Sequence, residues 1–174
     1  MDTKGRERIL FSERQIARRV RQVAREIARA PLRPDVAVPI LAGAFVFAAD
    51  LLRALVHHGL DLETEFIWLR SYGRSEQPGD LMVLKAPSEL VRGRTVLLID
   101  GVLDRGVTLT RAKELLEEVG ASAIISAVAV AKAYPGRSAE ADHVLFEAGA
   151  EFLYGYGMDR SGLSRGLTDI RVRD

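Results

Sequence analysis

Val96-Leu97-Leu98-Ile99-Asp100-Gly101-Val102-Leu103-Asp104-Arg105-Gly106-Val107-Thr108-Leu109 starts as an apolar run and ends with the period of a helix. Thr95 to Ile99 is apolar and β-branched, as expected of a central parallel strand buried on both faces. It leads into a polar turn, Asp100 to Val107, and then into a helix whose inner face is Leu109, Ala112, Leu115, Leu116 and Val119, with Gly120 as its stop. A turn of this kind aims unpaired backbone N–H groups and the positive end of a helix dipole at one point, which suits a phosphate. Gly106 permits the close turn and the Thr108 hydroxyl adds a donor. In an open α/β sheet, ligands also bind at this end of the strands. Taken alone, Asp100 and Asp104 read equally well as turn residues, and Thr108 as a helix cap.

On the N-terminal side, Ser12 and Gln15 form a capping-box pattern, and Ile16, Val20, Val23 and Ile27 recur at helical spacing. Val36 to Leu41 reads as a short buried strand, and Ala44 to His57 as an apolar helix stopped near Gly59. His57 and His58 end that helix and complement its dipole. Leu62 to Leu69 is strand-like, with Trp68 expected in the core. The polar stretch Ser71 to Asp80 is expected to be an exposed, mobile loop before a strand at Leu81 to Lys85. On the C-terminal side, Ala121 to Ala131 and Phe152 to Tyr156 are further strand candidates. The order βα, ββ, βα, β predicts an α/β fold with a mostly parallel sheet and helices on both faces. No repeat or linker interrupts residues 1–174, so a single domain is expected.

Several function classes are excluded. The chain has no cysteine, so disulfides, thiolate metal sites and cysteine nucleophiles are absent. Neither Gly-Lys-Ser/Thr nor Gly-x-Gly-x-x-Gly occurs, which removes the Walker and dinucleotide fingerprints. Asp100-Gly101-Val102-Leu103 has a likeness to the first motif of haloacid-dehalogenase phosphatases. That reading fails because Leu98 stands where the nucleophilic carboxylate is required. No apolar run is long enough to cross a bilayer and the first residues lack a signal-peptide core, so a cytoplasmic protein without a membrane partner is expected. Other positions have plain readings: Lys132 as a strand-end lysine, Phe152 as a core aromatic, Asp159 as a surface acid, Arg165 as a solvated charge, and Asp104 as a helix cap.

The 96–109 stretch resembles the phosphoribosyl-pyrophosphate motif of type I phosphoribosyltransferases: an apolar strand, two acids, two apolar residues, then Asp-Thr/Ser-Gly-x-Thr. Ile9 to Ile16, Leu41-Ala42-Gly43-Ala44-Phe45, Ser71-Tyr72-Gly73, Lys132 and Phe152 to Asp159 agree in order and spacing with the hypoxanthine-guanine branch. The resemblance implies a parallel-sheet core with a small hood region. It also implies Mg²⁺-dependent transfer of a 5-phosphoribosyl group from phosphoribosyl pyrophosphate to hypoxanthine or guanine, giving IMP or GMP and pyrophosphate in purine salvage.

By the same resemblance, Asp104 exchanges a proton with the purine N7, Asp100 holds a ribose hydroxyl, and Arg105, Gly106, Val107 and Thr108 wrap the 5′-phosphate. Lys132 donates to the oxopurine O6, Phe152 stacks on the base, and the Leu153 carbonyl reads a guanine amino group. Ala42 and Gly43 form the pyrophosphate turn, in which the family often has a non-proline cis peptide. Ser71 and Tyr72 open the lid, Arg165 binds pyrophosphate, and Asp159 ligates magnesium. A homodimer or homotetramer is implied.

The chain departs from the pattern at three places: Gly101 replaces the second acid, Arg105 replaces Thr or Ser, and Ala42 replaces the lysine of some members. The alternative reading is a catalytically weak sensor of phosphoribosyl pyrophosphate or nucleotide, with a basic first helix that binds nucleic acid. The first thirty residues hold nine basic side chains against four acids. Such arginine rows are usually solvated faces, and no nucleic-acid motif accompanies this one, so a nucleic-acid partner is not expected.

Overall fold

A computed structural model describes residues 7–71 and 81–173. Tyr72 and the rest of the expected loop to Asp80 lie outside the described residues, as do Asp2, Lys4 and Arg6. Strand β1 (Glu7–Phe11) precedes helix α1 (Glu13–Arg29), and β2 (Val36–Leu41) precedes α2 (Phe45–His57). A two-residue β3 (Glu63–Thr64) is followed by β4 (Ile67–Ser71) and β5 (Leu81–Lys85). Then come β6 (Thr95–Leu103), α3 (Val107–Val119), β7 (Ala123–Lys132), β8 (His143–Ala148), β9 (Phe152–Tyr154) and β10 (Ile170–Arg173).

The main sheet runs β5-β4-β2-β6-β7-β8, with β3 beside β2. All its pairings are parallel except β4 with β5. The expected mostly parallel sheet is therefore present, with β6 at its centre. Alternation along β6 divides the core: Leu97 and Ile99 join the cluster containing α1 and α2, whereas Val96 and Leu98 join the cluster containing α3. All four are fully buried, and each buried side chain of this size stabilises the fold by about 1.5–3 kcal/mol. Among the described residues, no helix is long and apolar enough to cross a membrane.

The expected hood is a separate antiparallel sheet, β1-β10-β9, which joins the two ends of the described chain. Gln15 Oε1 accepts from both the Ser12 amide and hydroxyl at the start of α1. The arginine row on α1 is not wholly a solvated face, because Arg19 donates to the Val144 and Leu145 carbonyls of β8. Glu65, buried where β3 leads into β4, accepts from Lys85 Nζ and from the Ser88 amide and hydroxyl. Burial alone would raise its pKa, but these donors hold it below the usual carboxylate value. The base of the β4–β5 hairpin is thereby fixed.

Three expectations need correction. β6 does not stop at Ile99 but runs to Leu103, so Asp100 and Gly101 are strand residues and not part of a turn. Helix α3 is capped by Gly106, with no side-chain cap, so neither Asp104 nor Thr108 caps it. Trp68 is not core but 44% exposed, because it lies on β4 near the edge of the sheet.

Leu98→Ala is expected to cost about 2–5 kcal/mol in urea unfolding, and Trp68→Ala less. Equal losses would contradict the placement of Trp68.

Candidate active site

The parallel register brings the chemically active side chains to one edge of the sheet. Leu103 pairs with Ala131, so the next residues, Asp104 and Lys132, stand side by side. Lys132 Nζ lies 3.3 Å from Asp104 Oδ2, with the lysine mostly buried and the carboxylate half exposed. A cleft of about 370 Å³ opens at this edge. Ala42, Gly43, Asp100, Thr108, Lys132, Phe152, Leu153, Asp159 and Arg165 all line it, together with the unpredicted Val102 and Met158. Asp104 reaches the cleft through its contact with Lys132. Ser71 ends β4. Phe152 exposes 53% of its surface, so it is not a core aromatic.

Beyond β6, Gly106 adopts φ 87° and opens α3. A Cβ there would stand 2.6 Å from the Ala139 nitrogen. Glycine is thus required for both conformation and space. The loop is braced from behind, since the Ser138 amide and hydroxyl both donate to the Arg105 carbonyl. The Arg105 guanidinium lies over the Tyr134 ring, 5.2 Å from its centroid, a cation–π distance. This arginine is therefore seated on an aromatic face just before α3, and of residues 105–108 only Thr108 lines the cleft.

On the opposite wall, Leu41–Ala42 is a cis peptide, as the resemblance implied. Gly101 explains its own departure from the pattern: a Cβ at this position would stand 2.7 Å from the Gly43 oxygen. Asp159 Oδ1 pairs with Arg165 Nη2 at 2.8 Å, and its Oδ2 accepts from the Gly162 amide at 2.7 Å. Arg165 also donates to the Gly157 carbonyl.

Asp100 differs from the other acids. It is 8% exposed, and its carboxylate accepts from the Gly101 amide at 2.7 Å. Burial pushes its pKa up to about 7, against the lowering effect of that bond. A larger cavity, about 500 Å³, lies between α1, α2 and residues 165–168 and shares only Arg165 with the strand-edge cleft. Asp100, Asp159 and Lys132 line the smaller cleft, and Asp104 contacts that lysine, so the smaller cleft is the candidate site.

Residues 8–159 match the family model described as the phosphoribosyl transferase domain. The chain belongs to the phosphoribosyltransferase family. It is 32% identical to the hypoxanthine-guanine phosphoribosyltransferase of Aquifex aeolicus (strain VF5), over 94% of this chain and 92% of that protein. It is 33% identical to the enzyme of the same description from Bacillus subtilis (strain 168), over 95% and 92%. Among solved structures, it is similar to the hypoxanthine phosphoribosyltransferase of Trypanosoma cruzi in complex with the product IMP. The TM-score is 0.86 at 30% identity, covering 100% of this chain and 97% of that one.

Two outcomes are expected from this geometry. Gly101→Ala should lower stability by about 1–3 kcal/mol through overpacking, although glycine to alanine within a strand usually helps; an unchanged urea midpoint would remove the close approach to Gly43. The second outcome concerns pH. Between the ordinary value of 3.8 and about 7, folded Asp100 holds a proton that the unfolded chain has released. Stability therefore falls as pH rises through that window and levels off above it. Asp100→Asn should flatten the slope between pH 5 and pH 7.5, measured by urea unfolding at each pH.

Proposed function

We propose that the strand-edge cleft transfers the 5-phosphoribosyl group of phosphoribosyl pyrophosphate to hypoxanthine or guanine, releasing pyrophosphate and forming IMP or GMP. The observation that carries this reading is the Lys132–Asp104 pair beside the exposed face of Phe152. A lysine offers only donors, so it matches the O6 acceptor of an oxopurine and mismatches the amino group of adenine. The likeness to the IMP-bound T. cruzi enzyme supports the same choice.

In this reading Phe152 stacks on the base. Lys132 donates to O6, and the Leu153 carbonyl accepts from the guanine amino group. Asp104 takes the N7 proton as N9 bonds to the ribose C1′, and the C1′–oxygen bond breaks with its electron pair leaving on pyrophosphate. The loop at Arg105, Gly106, Val107 and Thr108 holds the 5′-phosphate with backbone and hydroxyl donors at the start of α3. Asp100 accepts from a ribose hydroxyl. Arg165 and the turn at Ala42 and Gly43 hold the pyrophosphate. Ser71 and Tyr72 begin the segment that shields the site from water.

The donor set fits magnesium bound together with substrate. Among the described residues there is no group of three or more His, Cys, Asp or Glu able to cage a metal. Asp159 stands on the pyrophosphate side as a single carboxylate, and magnesium is usually held by one or two carboxylates plus phosphate oxygens. When bound, Mg²⁺ neutralises charge developing on the departing pyrophosphate. We also infer a homodimer or homotetramer. Phe66, Trp68, Met82 and Leu84 are exposed along the β4–β5 region, apolar surface that a second copy would cover.

The test is incubation of the purified protein with phosphoribosyl pyrophosphate, Mg²⁺ and each purine base, with nucleotide read by chromatography. IMP or GMP is expected, with little AMP. Asp104→Asn should lower kcat by about 10²- to 10⁴-fold. Absence of nucleotide from every purine would remove the reading.

A further inference from the structure

The turn that presents Asp159 is built from an unusual backbone. Gly155, Tyr156 and Gly157 have φ of 92°, 50° and 96°, so three successive residues are left-handed. Glycine adopts this readily, but tyrosine does so only where its surroundings hold it. Here the Tyr156 ring is buried and lies near Phe47 of α2. Its hydroxyl donates to Asp50 Oδ2 at 2.8 Å, while Asp50 Oδ1 is occupied by Arg53. Burial and the neighbouring carboxylate push the hydroxyl's pKa up, so it remains a donor.

Both groups on the pyrophosphate side hang from this turn. The Tyr156 amide donates to the Leu167 carbonyl and the Gly157 amide to the Arg165 carbonyl. The Arg165 guanidinium returns to the Gly157 carbonyl and to Asp159. The same helix that carries Asp50 begins at Phe45, directly after the Leu41–Ala44 turn. Gly157 also packs against that turn, since a Cβ on it would stand 2.6 Å from the Gly43 oxygen.

We propose that Tyr156 and Asp50 are a positioning pair that holds Asp159 and Arg165 in register with the Ala42–Gly43 turn, and so sets affinity for the pyrophosphate group. The inference rests on the functional reading above, but it assigns a role to two residues outside the cleft. Neither residue lines the strand-edge cleft. A bond that served only stability would lower Tm and leave the balance between the two substrates unchanged. A positioning bond weakens the pyrophosphate side alone.

The experiment uses the full chain with Mg²⁺. Calorimetry reads pyrophosphate affinity, steady-state kinetics give KM for phosphoribosyl pyrophosphate and for hypoxanthine separately, and Tm is recorded for each variant. Tyr156→Phe is expected to weaken pyrophosphate binding and raise KM for phosphoribosyl pyrophosphate by about three- to tenfold, the usual worth of one hydrogen bond. KM for hypoxanthine should stay within about twofold, a difference too small to count as a lost bond. Asp50→Asn keeps an acceptor for the hydroxyl and should restore pyrophosphate affinity toward that of the wild type. Asp50→Ala should match Tyr156→Phe, and the double variant should be no worse than either alone. Should Tyr156→Phe fail to fold, the Asp50 variants on the partly exposed helix carry the same comparison. Unchanged pyrophosphate affinity in the folded variants, or an equal rise in both KM values, would overturn the pair while leaving the functional reading intact. A wild-type protein that neither binds pyrophosphate nor forms nucleotide would overturn both.

Discussion

The Gly43 carbonyl is the point on which three parts of the chain converge. A side chain at Gly101 would meet it at 2.7 Å and one at Gly157 at 2.6 Å, so both backbones press against the same oxygen. Gly101 belongs to the central strand and Gly157 to the turn after β9, whereas Gly43 lies between β2 and α2. The cleft can exist at its observed width only because two of these three segments present no Cβ to the third. The carboxylates are placed by that contact: Asp100 is adjacent to Gly101, and Asp159 is two residues beyond Gly157.

Around this contact, two acids line the cleft and a third touches its lysine, and the three do not share one chemistry. Asp100 is buried, and burial pushes its pKa up to about 7. Asp104 is half exposed and paired with Lys132. Asp159 is neutralised by Arg165 and by a backbone amide. Different environments let similar groups take different tasks. Under the proposed function, the solvated and lysine-paired acid moves the proton, the arginine-paired acid faces the pyrophosphate, and the buried acid meets an uncharged ribose hydroxyl. This division follows from burial and partners, not from the residue type.

The β6–loop–α3 unit is legible in the sequence because a short apolar run gives way to helical spacing around a glycine, and each signal is local. The strands of the hood are harder to see. β10 alternates Ile170 and Val172 inward against Arg171 and Arg173, but four residues of period two seldom stand out. β1 and β8 lie at sheet edges and carry mixed burial. The end of β6 was hidden for a different reason: an acid and a glycine read as a turn, whereas pairing with β7 continues the strand through them. Trp68 misleads because large aromatics are usually buried and nothing local marks β4 as lying near an edge. The Tyr156–Asp50 bond joins residues 106 positions apart, and no spacing rule reaches that far.

The departures in the motif therefore have different physical standing. Gly101 is not simply a missing acid, because any larger residue would have to displace the Gly43 carbonyl and, with it, the turn between β2 and α2. Arg105 is accommodated by Tyr134, whose ring takes the guanidinium while the backbone of the same loop is braced by Ser138. Ala42 removes a cation from a wall where Arg165 already stands in the same cleft. Gly101 and Ala42 together remove one charge of each sign, whereas Arg105 adds a positive charge at the loop before α3. The geometry that remains, a helix start beside a strand-edge lysine and acid with the Gly43 turn lining the same cleft, is set largely by the backbone. Backbone donors are indifferent to side-chain substitution so long as the glycines that admit the turns are kept.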